Sequence, residues 1–194
     1  MNNHLLINEL QRDALQEIMN ISMGQAANAL AQLINIRVIL SIPKISMTTP
    51  DGLQSFYHAA SPHHFARQSF LGDMHGEVIS VISDEGCKEL GEAMSYDQPM
   101  DANSVNELVL ELTNILAGAC LKGMVDQLGS RLHLAAPSLF EPEQQLHSSY
   151  NWHHALLLEI LFALEHISFS SRVVICLDEA SIAVLAGKLN EMLD

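Results

Sequence analysis

Basic residues are scarce. Nine lysines and arginines stand against 23 aspartates and glutamates in 194 residues, for a formal net charge of −14 at pH 7. DNA and RNA binding draws most of its affinity from cationic groups set against phosphates, so no nucleic-acid partner is expected; a chain this acidic suits a basic or mixed protein surface. Cysteine is scarce too: Cys87, Cys120 and Cys176 are an odd set, each isolated inside an apolar segment. They read as buried, reduced thiols of a cytoplasmic protein, not as a disulfide framework. No run of about 18 consecutive apolar residues occurs, and the opening MNNHLLINEL has neither the basic start nor the long apolar stretch of a leader. The expectation is a cytoplasmic chain without membrane insertion. G-x-S-x-G, a glycine-rich phosphate loop ending in Lys-Ser/Thr, and H-E-x-x-H are all missing, which removes the familiar self-sufficient hydrolase kits. Ten histidines invite a metal. The adjacent pairs His63-His64 and His153-His154 point different ways in a strand or a helix, however, and no third ligand stands at metal spacing, so no bound metal is expected. Trp152 is expected as a core anchor.

What the chain does have is a repeat. At a single offset of 94 positions, Glu17 falls on Glu111, Asn20 on Asn114, Ile21 on Ile115, Gly24 on Gly118, Arg37 on Arg131 and Pro43 on Pro137. Far downstream, Asp84-Glu85 falls on Asp178-Glu179 without a gap. The chain therefore reads as one domain over residues 1–194, made of two copies, roughly 8–95 and 102–194. Each copy begins with a long helix, about 9–34 and 104–128, the second capped by Asn103 or Ser104. Strand-like runs follow: NIRVILSIPKISMTT and EVISVIS in copy one, then RLHLAAPSLF, ALLLEILFAL and SSRVVICL in copy two. A shorter helix closes each copy, with Asp84-Glu85 and Asp178-Glu179 as its acidic start. Neither copy is long enough to cover its own sheet, so a joint α/β body with pseudo-two-fold symmetry is expected.

Helical spacing puts Asp13, Glu17, Asn20, Gly24 and Asn28 on one face of the first long helix. Glu107, Glu111, Asn114, Gly118 and Lys122 share the matching face of the second. The opposite faces carry Leu15, Met19, Ser22, Ala26, Leu30 and Leu33, then Val109, Thr113, Leu116, Cys120 and Met124, and are expected to be buried. A plain solvated face accounts for polarity at these positions. It does not account for the same carboxylate, carboxamide and glycine recurring at the same three places. Asn is neither acid nor base, but its amide can hold a water at fixed angles; Glu one turn away can pair with a cation on a partner. The glycines suggest close approach of another surface, since each costs about 1 kcal/mol of helix stability relative to alanine.

These residues resemble the CheC/CheX/FliY family of CheY phosphatases, most closely its two-site CheC form. The family motif is Asp or Ser, three residues, Glu, two residues, Asn, twenty-two residues, Pro. Copy one matches in full as Asp13, Glu17, Asn20 and Pro43; copy two supplies Glu111, Asn114 and Pro137, with Glu107 at the first position in place of Asp or Ser. The resemblance implies a CheC-like fold, two long helices packed on a mainly antiparallel sheet. It also implies a protein aspartyl-phosphate phosphatase acting on a phosphorylated CheY-like receiver domain. Asn20 and Asn114 would orient the hydrolytic water and Glu17 and Glu111 would pair with the receiver's lysine. Asp13, Gly24, Asn28, Glu107, Gly118 and Lys122 would complete the partner-binding faces. The Mg²⁺ of such a reaction belongs to the receiver, so this chain needs no cofactor of its own; a CheD-like receptor deamidase is a second partner that the resemblance suggests. Pro43 and Pro137 read as structural, ending or bending a strand. The rival reading is a non-catalytic adaptor or flagellar-switch component on the same fold, and buried Asn20 and Asn114 would favour it.

Overall fold

The structure is a computed structural model that describes residues 7–59, 63–142 and 153–193; Trp152 lies outside them. Helix α1 runs Glu9–Ile34. Its start is a capping box, in which the Asn8 side chain accepts from the Gln11 backbone and the Gln11 side chain accepts from the Asn8 backbone. Its end is Asn35 in the left-handed region, which Asn tolerates better than most residues. Strands β1 (Val38–Leu40) and β2 (Lys44–Thr48), helix α2 (Pro50–Ala59), strands β3 (His63–Gly72) and β4 (Gly76–Ser83), and helix α3 (Asp84–Ala93) follow. Helix α4 (Ala102–Leu128) opens the second half, succeeded by β5 (Leu132–Leu134), β6 (Ser138–Leu139), β7 (Ala155–Leu164), β8 (Ser170–Asp178) and α5 (Glu179–Leu193). Pro43 and Pro137 sit in the breaks between β1 and β2 and between β5 and β6, where a residue without an N–H costs no ladder bond.

All eight strands among the described residues join one sheet in the order β1-β7-β8-β4-β3-β5, with β2 also on β7 and β6 also on β3. Every pairing is antiparallel. The short strands after each long helix therefore cross over: β1 and β2 pair with β7, and β5 and β6 pair with β3. One face of the sheet carries α1 and α4, packed side by side over Leu15, Met19, Leu30, Leu112, Leu116, Met124 and their neighbours. The other face is covered by α2, whose Leu53 and Tyr57 meet Phe65, Ile79, Val81, Leu157 and Val174. Among the described helices, α4 is long and apolar enough to span a bilayer by length and composition, and 56% of its most apolar window is buried inside the fold. Its hydropathy is that of a core helix.

The structure corrects several sequence-based expectations. The α4 cap is Asp101, which accepts from the Ser104 backbone, not Asn103 or Ser104. Leu33 is 44% exposed, although Leu30 and Ile34 on either side of it in the last turn of α1 are buried. Strand β3 and helix α2 were not foreseen. In β3 the inward positions include Gln68 as well as Ala66 and Phe70, which breaks the apolar alternation.

The downstream match also shifts. On β4, Val78 and Ile82 face the long helices; on β8, Val173, Ile175 and Leu177 do. Side chains alternate faces with a period of two, so equivalent residues on these strands lie an odd number apart, not 94. Consistent with this, Ser83 caps α3 by accepting from Gly86, and Asp178 accepts from Ser181 at the start of α5. Ser83 and Asp178 are the structural equivalents, and the aligned acidic dipeptides are one residue out of register.

Cys87, Cys120 and Cys176 are buried and unpaired. Burial pushes the Cys87 and Cys176 thiols up to about 12 and Cys120 higher still, so none is a thiolate nucleophile near neutral pH.

Candidate functional site

Helices α1 and α4 bury one side in the core and turn the other away from the sheet. On α1, Asp13, Glu17, Asn20, Gly24 and Asn28 are all exposed; on α4, Glu107, Glu111, Asn114 and Lys122 are exposed and Gly118 is half-buried. The structure thus brings each predicted set together on one helix face. Lys122 is engaged within its own helix, at 2.7 Å from Asp126.

The two faces differ in their surroundings. Around Asn114 lies an open groove of about 790 Å³, lined by Asn103, Asn106, Glu107, Glu111, Ala136 and Pro137 among others. Asn114 Oδ1 accepts a hydrogen bond of 2.9 Å from Nε2 of Gln68, which reaches up from β3 and also donates to the Ala135 carbonyl at 2.7 Å. The Tyr96 hydroxyl donates to Glu111 Oε2 at 3.5 Å, at the long limit for such a bond. Burial, together with the carboxylates of Glu111 and Glu107, holds the Tyr96 hydroxyl above its usual range and keeps it a donor. On α1, by contrast, neither Glu17 nor Asn20 has a side-chain hydrogen bond among the described residues. Ile21, the residue after Asn20, is 44% exposed, which gives this face apolar surface next to its polar pair.

Gln68, Tyr96, Asn103 and Asn106 were missed from sequence. The signal for Gln68 was available: it is a polar residue at a core-facing position between Ala66 and Phe70, where a period-2 strand calls for an apolar side chain. The helix glycines differ in what surrounds them within this chain. A Cβ on Gly24 would meet nothing within 4 Å, and one on Gly118 only Leu134 at 3.9 Å, so nothing in this chain requires either. The glycine that permits close helix packing is Gly123, whose Cβ would lie 2.7 Å from the Ser22 Cα across the α1–α4 crossing.

Four histidines meet carboxylates locally. His64 meets Asp84 at 3.0 Å and His75 meets Asp178 at 2.6 Å, while His153 and His154 both face Glu179. Among the described residues no three His, Cys, Asp or Glu side chains gather as a metal-ligand set. The chemistry the faces offer is that of an exposed carboxamide one turn from an exposed carboxylate, presented twice.

An antiparallel sheet backed by two long helices is an architecture this chain shares with solved structures of FliY, CheX and FliM. The model of the CheC-like family matches residues 10–51, which span Asp13, Glu17, Asn20 and Pro43. The chain is 28% identical over 140 residues to the CheY-P phosphatase CheC of Bacillus subtilis (strain 168), covering 69% of this chain and 67% of that protein. FliY of Thermotoga maritima superposes with a TM-score of 0.72 at 13% identity, over 96% of this chain and 99% of its own. CheX of Desulfovibrio desulfuricans gives 0.56 at 17%, over 82% and 99%. FliM in the FliG–FliM complex of H. pylori gives 0.64 at 12%, over 93% and 100%.

Proposed function

We propose that the chain is a cytoplasmic phosphatase that removes the aspartyl phosphate from a CheY-like receiver domain, with two sites in the manner of CheC. One observation carries the reading: Asn20 and Asn114 both stand exposed, each one helical turn from an exposed glutamate, on the solvent sides of paired helices. The curated relative named for this activity adds support, and so does the family match across the copy-one motif. The duplicated faces are read as two copies of one unit, approximately 8–95 and 102–194.

The division of labour follows from what the faces contain. A receiver supplies the phosphoryl group, the Mg²⁺ and a lysine, which together neutralise the transferring group. What its own hydrolysis lacks is a water held in line with the P–O bond, and fixing a reactant in place can lower a barrier substantially. Asn20 or Asn114 would enter that site and hold the water through its carboxamide. Glu17 or Glu111 would pair with the receiver's lysine and set the register. Ile21 would give copy one apolar contact area beside the pair.

A time course of phosphate release from candidate phosphorylated receivers tests the reading. Release should exceed the receiver's own rate and fall to background when Mg²⁺ is chelated. Acceleration that persists in excess EDTA would contradict a catalyst that only places water.

A second reading, a non-catalytic adaptor, draws on the likeness to FliM, which is found in complex with FliG. Receiver binding without accelerated release would select it. Binding to a CheD-like deamidase is compatible with either.

A further inference from the structure

Asn114 and Asn20 occupy matching places, but among the described residues only Asn114 is tied to the core. The tie has a definite polarity. The Ala135 backbone carbonyl can only accept, so the Gln68 amide must present its NH₂ group toward it at 2.7 Å. The remaining Nε2 hydrogen points at Asn114, at 2.9 Å, and requires an acceptor there. Asn114 must therefore turn Oδ1 inward; flipped, its own NH₂ would face another donor. The Nδ2 hydrogens are left pointing outward toward the groove. An exposed asparagine ordinarily samples both amide orientations, because the terminal torsion is broad and roughly two-fold.

Gln68 sits where an apolar side chain would serve packing better. It is 1% exposed, and its Oε1 is buried with no hydrogen-bond partner among the described residues, an unfavourable arrangement in a core. In the other half the strand register gives the corresponding place to Ile160. Leu158 pairs with Ile45 as Ala66 pairs with Leu139, and the next inward residues are Ile160 and Gln68. Isoleucine cannot donate, and Asn20 accordingly has no such partner.

We infer that Gln68 is a positioning residue for Asn114, locking its carboxamide with the donor outward, and that the two sites are functionally unequal for this reason. Copy two offers a fixed N–H donor, suited to an acceptor such as a phosphoryl oxygen or the lone pair of a water. Copy one offers a free rotor that can donate or accept. The catalytic part of this inference rests on the phosphatase reading; the locking itself does not.

Both parts are testable with Gln68→Met, which keeps an unbranched chain of similar length but cannot donate. In an Asn20→Ala background, where copy two works alone, Gln68→Met should change kcat by about three- to tenfold with KM little altered, as loss of orientation does. In an Asn114→Ala background, where copy one works alone, the same substitution should change nothing. That second arm is also the folding control. Equal effects in both backgrounds would mean a structural role and overturn the inference, as would no effect in either. Side-chain amide ¹⁵N relaxation reads the locking without activity. Asn114 should be rigid and Asn20 mobile on the ps–ns timescale, and Gln68→Met should loosen Asn114 alone. Equal mobility of the two amides in the parent protein would overturn the locking. If the parent has no phosphatase activity but the amides differ as stated, the phosphatase reading fails and the positioning stands.

Discussion

Glu17, Asn20, Glu111 and Asn114 owe their legibility to where they stand. A solvent-facing helix position carries no packing requirement, so identity repeated there is informative in a way that repeated leucine is not. Glu17→Ala with Glu111→Ala should raise the KM for the phosphorylated receiver about fivefold as well as lowering turnover, since an exposed ion pair contributes roughly 1 kcal/mol. Unchanged KM in both steady-state and binding assays would remove the proposed lysine contact. Gln68 escaped notice because its strand was not foreseen, and Tyr96 because its place depends on chain geometry between α3 and α4, which residue spacing does not encode. His75 and Asp178 make a separate residue-scale case. Burial alone would raise the Asp178 carboxyl, but the backbone N–H and hydroxyl of Ser181 and the ring of His75 outweigh it, and the net shift is downward. A carboxyl depressed on folding stabilises the protein above its unfolded value, near pH 4, and loses that contribution as pH falls through the folded value. Asn caps a helix about as well as Asp, so Asp178→Asn isolates the charge. It should lower Tm at pH 7, with the gap from the parent closing as the pH drops below about 4. A gap independent of pH would point to packing instead.

At the scale of elements, the long helices were readable to within two residues because hydrophobic periodicity over more than twenty positions leaves little choice. Their caps were not, since Asp101, Asn103 and Ser104 are all competent and only geometry selects among them. Strand β3 was lost for the opposite reason: a buried polar residue interrupts its alternation. The two helix glycines make a paired test. Gly24→Ala adds a methyl to open space on an exposed helix face, so it should stabilise by about 1 kcal/mol and raise Tm by about 2–4 °C. If that face meets the receiver, binding should weaken at the same time. Gly123→Ala has the same propensity gain but drives its Cβ into the Ser22 backbone, and overpacking of about 1–3 kcal/mol should make it the destabilised variant. Thermal unfolding of both, run side by side, checks the opposite signs. A stabilised Gly123→Ala would mean that the α1–α4 crossing is looser than its geometry indicates.

At the scale of the whole molecule, the likeness between the two halves was visible in the sequence while the way they assemble was not. Sequence similarity between the halves says nothing about which half supplies a strand's partner. Here β1 and β2 find theirs in β7, and β5 and β6 find theirs in β3. Neither half has a finished sheet, and unpaired strands and uncovered apolar faces do not persist alone. Residues 8–95 by themselves should therefore lack a cooperative thermal transition and gain one on mixing with 102–194. A stable, monomeric 8–95 fragment would contradict the interlocked sheet.

The same interlocking holds two helices side by side with their Glu-x-x-Asn faces outward, and the proposed activity rests on those faces. Asn20→Ala removes a carboxamide from an exposed position, where substitution usually costs within about 0.5 kcal/mol; Asn114→Ala also takes the acceptor from the buried Gln68 amide and should cost about 1–3 kcal/mol without unfolding the chain. The direct measurement is phosphate release from the cognate phosphorylated receiver by this double variant, beside its thermal transition and its affinity for the receiver. The account predicts an unchanged fold, near-parent affinity and loss of most of the acceleration, because a water-orienting group acts mainly in the transition state. Release as fast as the parent's would contradict it and leave a receiver-binding protein that is not a catalyst through these residues.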